Sequence, residues 1–166
     1  MIEGGQLIRV SGQPNDQPVN SEPLRQANNI AFRIAAPEEY PRIEAVYVAW
    51  GYRGGVLPTD VVYLSEANGE LIGIVRRTCE YGLVMLRGMY VAPQKRRRGI
   101  GSQLLARFVS DLDDVICFCV PLAHLQTFYG QGGFVPIPDQ AAPEFLRDRM
   151  AKYRGDGLDV LVMRRP

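Results

Sequence analysis

The chain has 166 residues, 46% of them hydrophobic, which suits one domain with a packed core and excludes a generally disordered chain. Its formal net charge is only +1, so the molecule as a whole is not a polyanion binder and any basic function must be local. Cys79, Cys117 and Cys119 form neither a disulfide framework nor a Cys-x-x-Cys pair, and with the single His124 they are too few for a structural zinc site, so no metal is expected.

The cysteines are read as small core hydrophobes in a reducing, cytoplasmic setting. No apolar run approaches the roughly 20 residues of a membrane helix, and the start lacks the basic-then-apolar order of a signal peptide, so no membrane partner is expected. Residues 1–28 read as an N-terminal extension: residues 6–10 suit a short strand, and residues 12–23, rich in Pro, Asn, Asp, Gln and Ser, suit irregular chain. The regular domain is expected at 29–166.

Ile30–Ile34 reads as a strand. Pro37-Glu38-Glu39 then opens a helix, with proline early and acids at the positive end of the dipole. Ile43, Val46, Tyr47 and Trp50 continue it at helical spacing, and the glycines of residues 51–58 end it. Strands follow at Val61–Ala67, at 71–79 and at Leu83–Val91, separated by Asn68-Gly69 and Tyr81-Gly82, which makes an antiparallel meander. Residues 102–111 set Leu104, Leu105, Phe108 and Val109 on one helical face. Residues 115–120 are almost wholly apolar, as in a strand buried on both faces. A helix at 121–132, a strand at 134–137, a helix at 143–152 and a closing strand at 159–164 complete the order. Hairpins mixed with helical crossovers predict an α/β domain with a mixed sheet under helices.

The chemistry concentrates in Lys95-Arg96-Arg97-Arg98-Gly99-Ile100-Gly101-Ser102, between a strand and an amphipathic helix. The glycines let a ligand approach the main chain, and the free amides of a first helical turn, with the helix dipole, attract an anion. A solvated loop or a nucleic-acid patch would also use a basic run, but the near-zero net charge and the lack of interleaved exposed aromatics argue against nucleic acid. The turn is neither a Walker loop nor a dinucleotide fingerprint, whose glycines are spaced differently.

Arg96-x-x-Gly99-x-Gly101 resembles the R/Q-x-x-G-x-G/A signature of the GNAT superfamily of N-acetyltransferases, preceded by a similar strand and Val-x-Pro phrase. Phe128-Tyr129-Gly130-Gln131-Gly132-Gly133-Phe134 resembles the later block of that family, in the correct order, and the resemblance covers roughly two-thirds of the chain. It implies the GNAT fold: a mixed, mostly antiparallel sheet of six to seven strands, with splayed central strands and helices on both faces. It implies acetyl-CoA as cosubstrate and direct transfer of its acetyl group to a primary amine of a small molecule.

By the same resemblance, the main chain of Met89, Tyr90 and Val91 receives the pantetheine arm, with a strand bulge at Arg87-Gly88 and the oxyanion held near Met89. The loop from Arg97 through Arg98, Gly99, Ile100 and Gly101 to Ser102 holds the pyrophosphate, and Arg96 to Arg98 reach towards the 3′-phosphate. Tyr129 matches the general acid for the departing thiolate. The family's basic carboxylates have no counterpart: the corresponding places fall near Cys117 and within Leu83–Val91, which has no acid, and Leu122 replaces an asparagine. His124, Glu80 or a chain of waters remain as the base. Tyr47, Trp50, Tyr52 and Arg53, the sixth-strand region and the last helix and strand are expected around the acceptor, unless the aromatics merely cover the core edge. A protein N-terminus or lysine as acceptor, or a non-catalytic acyl-CoA sensor, stays open, as does a homodimer.

Overall fold

The computed structural model describes residues 29–166; the expected strand at 6–10 and the irregular stretch at 12–23 lie outside the described residues. Seven strands form one sheet: β1 (Ile30–Ile34), β2 (Val61–Ala67), β3 (Glu70–Glu80), β4 (Leu83–Val91), β5 (Cys117–Cys119), β6 (Val135–Pro136) and β7 (Met163–Arg165). Their order is β1-β2-β3-β4-β5-β7-β6, antiparallel throughout except for the parallel pair β4 and β5. The helices are α1 (Tyr40–Ala49), α2 (Ile100–Ser110), α3 (Gln126–Gly130) and α4 (Glu144–Gly155). This is the expected α/β architecture.

Period-two alternation sends successive side chains to opposite faces. Tyr63, Val75 and Leu86 meet Leu104, Leu105 and Phe108 of α2 on one face. Val62, Leu64 and Ile74 meet Ile43 and Tyr47 of α1 on the other, where Met85 and Phe118 also pack on Leu146 and Met150 of α4. Each fully buried side chain of this size contributes about 1.5–3 kcal/mol, so the three α2 residues anchor that helix and the turn before it.

Four expectations change. The apolar run 115–120 yields a strand only at Cys117–Cys119, where β4 and β7 pair on either side; Val115 and Ile116 are exposed in the turn after α2. The helix read at 121–132 starts later, with a 3-10 turn at Ala123–Leu125 before α3. Its first residues are spent on the chain end: Leu122 bridges Val160, and Ala123 N–H donates to Asp159. The same pairing divides the closing strand read at 159–164 into that bridge and β7. Finally, Cys117 and Cys119 are core residues, but Cys79 is exposed, because it lies on the α2 face beyond Arg77, whose Nη1 donates to Asp111 O at the end of α2.

Polar groups tie the N-terminal half together. Arg33 on β1 pairs with both Glu39 and Glu66, and Glu39 also accepts the Ala36 N–H, which caps the start of the 3-10 turn Pro37–Glu39. Deeper, Arg76 Nη1 donates to Asp60 Oδ2 at 2.6 Å, with both side chains buried. Asp60→Ala should destabilise the protein by about 3–5 kcal/mol, because it leaves a buried guanidinium without its counter-ion. Urea unfolding would show this as a lower midpoint at unchanged slope; a loss under about 1 kcal/mol would mean that the pair is not needed for stability.

Candidate active site

The site begins where β4 and β5 separate. They pair only at Val84 with Cys117 and Met85 with Phe118, and beyond these residues β4 continues towards the basic turn with no ladder to β5. The other edge of β4 stays on β3 but shifts register: Tyr90 pairs with Ile74, and Arg87 with Arg76, so β4 holds one extra residue. Gly88 takes the strain with φ of 59°. A Cβ there would stand 2.6 Å from Tyr47 Oη, the hydroxyl that donates to Gly88 O, also at 2.6 Å. The bulge thus falls at the expected Arg87-Gly88, braced from α1.

Two cavities open in the gap. One, of about 360 Å³, is lined by Met89, Tyr90, Val91, Arg96, Arg97, Gly99, Ile100, Gly101 and Ser102, so nine of the ten residues expected to hold the coenzyme come together; Arg98 is not among its lining. Gly99 caps α2 with φ of 76°, and Arg97 also has positive φ, a conformation that aims successive amides into one concavity. Gly101 lies in the first turn, and a Cβ on it would come within 3.3 Å of the Phe128 ring, so a side chain there would fit only if that ring gave by a few tenths of an ångström. This closely approachable, positively charged concavity fits a pyrophosphate. Arg96 is less free than the sequence suggests: its guanidinium lies 5.1 Å from the Tyr90 ring centre, and its Nε donates to Val91 O.

The second cavity, of about 500 Å³, lies on the other side of a wall that both share, made of Met89, Tyr90, Leu125 and Tyr129. Tyr129, on α3, is 7% exposed and packs edge-on against Phe128 and Phe134. Burial, with Cys119 and Tyr52 nearby, pushes its pKa well above the tyrosine norm, so it is a neutral phenol and a proton donor.

The remaining site residues fall differently. Tyr47 is wholly buried and acts on the bulge, not on a ligand. Trp50 stacks on Tyr90, whose hydroxyl donates to Trp50 O, and of the aromatic set only Tyr52 lines the larger cavity; the sixth-strand region does not. Arg53 and His124 are exposed and line neither cavity. Burial opposes the charge on Glu80, but Arg149 and Arg87 outweigh it and hold its pKa below the usual carboxylate value. Arg149 and Tyr153 of α4 line the larger cavity, and their four-residue spacing beside the buried Leu146 and Met150 was the sequence signal for a second working face.

Residues 58–136 match the family model of the acetyltransferase (GNAT) domain. No curated protein matches the sequence. Among solved structures, N-acetylglutamate synthase from Neisseria gonorrhoeae, complexed with coenzyme A and N-acetyl-glutamate, is similar at TM-score 0.60 and 19% identity over 82% of this chain and 34% of its own. This chain thus spans about a third of that synthase. Escherichia coli ElaA is similar at TM-score 0.57 and 20% identity over 82% of this chain and 99% of its own. An acyl-CoA N-acyltransferase from Pseudomonas aeruginosa gives TM-score 0.57 and 17% identity over 82% and 99%. At these identities the likeness establishes the fold. The splayed sheet is thus the fold that these solved structures share. The matched stretch is similar to the acetyltransferase (GNAT) domain.

Proposed function

We propose that the domain of residues 29–166 transfers an acetyl group from acetyl-CoA to a primary amine of a small molecule by direct attack. The observation that carries the reading is the position of Tyr129: a buried phenol in the wall between a cavity ending at the Arg96–Ser102 turn and a second cavity with room for an acceptor. The thioester supplies the acyl group, its carbonyl carbon bonding to the amine nitrogen as the C–S bond breaks.

Each residue then has a task. The amides of residues 97–102 and the Arg97 charge hold the pyrophosphate, and the main chain of Met89, Tyr90 and Val91, on the edge of β4 that has left β5, orients the pantetheine amides. Backbone at the bulge near Met89 stabilises the carbonyl oxygen as it gains charge. Tyr129 Oη gives its proton to the departing sulfur and recovers one from solvent. Among the described residues no acid lines either cavity, and Glu80 is held as an ion-paired carboxylate, so the amine enters neutral and its surplus proton leaves through water.

Release of free coenzyme thiol from acetyl-CoA, measured across a panel of small amines, amino acids and peptides, tests this. Turnover should occur with at least one small amine and exceed that with any peptide. Tight binding of acetyl-CoA with no thiol release for any acceptor would sink the enzymatic reading and leave a sensor.

A further inference from the structure

The larger cavity has in its wall an arginine that acyl transfer itself does not use. Arg149 lines it from α4, and its Nη2 donates to Glu80. The guanidinium is held in place, because it lies 5.6 Å from the centre of the Phe145 ring one turn before it on α4.

Charge around the cavity points the same way. Glu80 is already shared, accepting from Arg149, from Arg87 Nη1 at 2.9 Å and from Thr78. Arg87 and Arg149 both line the cavity, and among the described residues no acid does. Two guanidiniums on one carboxylate leave net positive charge, which repels an ammonium and attracts an anion. Much of the remaining wall is apolar, with Leu122, Leu158 and Val160 facing the cavity. The planar fork of arginine matches a carboxylate better than any neutral group.

We propose that the acceptor bears a carboxylate that pairs with Arg149, beside an apolar or aromatic body resting on Leu122, Leu158 and Val160. This inference rests on the transferase reading above. It makes the substrate class amino acids and related amino-carboxylic acids, and excludes polyamines and amino sugars.

Calorimetry on the full chain loaded with coenzyme A tests the pairing without turnover. The probes are N-acetyl-L-leucine, N-acetyl-L-phenylalanine and N-acetyl-L-glutamate, each against its neutral α-amide. At least one acid should bind about tenfold tighter than its amide. Arg149→Gln should bring that ratio to within about twofold, and Arg149→Lys should restore part of it; Arg87 still pairs Glu80 in both variants. Equal binding of acids and amides to the wild-type protein, or binding of neither, overturns the proposal even if the variants fail to fold. Thiol release with putrescine or glucosamine but with no amino acid would also overturn it while leaving the transferase intact. Acids that bind through Arg149 without any thiol release would support the pairing and refute the transferase.

Discussion

Gly101→Asp is expected to weaken acetyl-CoA binding by at least about 100-fold while leaving the fold intact. The position lies in the first turn of α2, within the smaller cavity, and a Cβ there already comes within 3.3 Å of the Phe128 ring. An added carboxylate would therefore point into the space meant for the pyrophosphate, and like charges brought together in such a site cost several kcal/mol. The same carboxylate suits the positive end of the helix dipole, so α2 itself should lose nothing. Calorimetric titration with acetyl-CoA, beside a thermal melt, separates the two effects. A variant that melts with the wild type and still binds the coenzyme would show that the anion sits elsewhere.

Tyr129→Phe is expected to lower kcat by about 100-fold, as loss of a general acid does, with acetyl-CoA affinity unchanged within about twofold. The ring would keep its edge-on contacts with Phe128 and Phe134, so only the hydroxyl is lost. The pH profile adds an independent reading. Deprotonation would remove the acid, and burial lifts the Tyr129 pKa above the ordinary 10.0, so its alkaline limb should move beyond that value. Activity falling with a tyrosine limb well below pH 10, or a Phe variant as fast as the wild type, would place proton donation on another group.

The parts of this protein that were legible beforehand are those in which neighbouring residues decide the structure. The meander was readable because Asn68 and Tyr81 both take positive φ, before Gly69 and Gly82, which forces the chain back on itself. The turn that opens α2 was readable because two glycines, a helix start and a run of basic residues lie within seven consecutive residues, and nine of the ten residues expected at the coenzyme converge on one cavity. Even the bulge at Arg87-Gly88 was legible, since a glycine in a strand otherwise rich in large apolar residues marks a local departure.

What lay beyond reach depends on partners distant in the chain. Val115 and Ile116 look like core in the sequence, yet only Cys117 and Phe118 have strands on both edges. Tyr47 looked like an acceptor contact and is instead the buried brace of Gly88, 41 residues away. Arg149 carries no motif; its meaning comes from Glu80, 69 residues earlier, and from a cavity whose walls belong to α4, β4 and the segment after β5. The sequence by itself thus determined the sheet-and-helix order and the glycine turn that opens α2, because backbone conformation and helix starts are local properties. Only the tertiary structure decided which charged groups meet around the larger cavity, because burial and pairing arise from the whole fold.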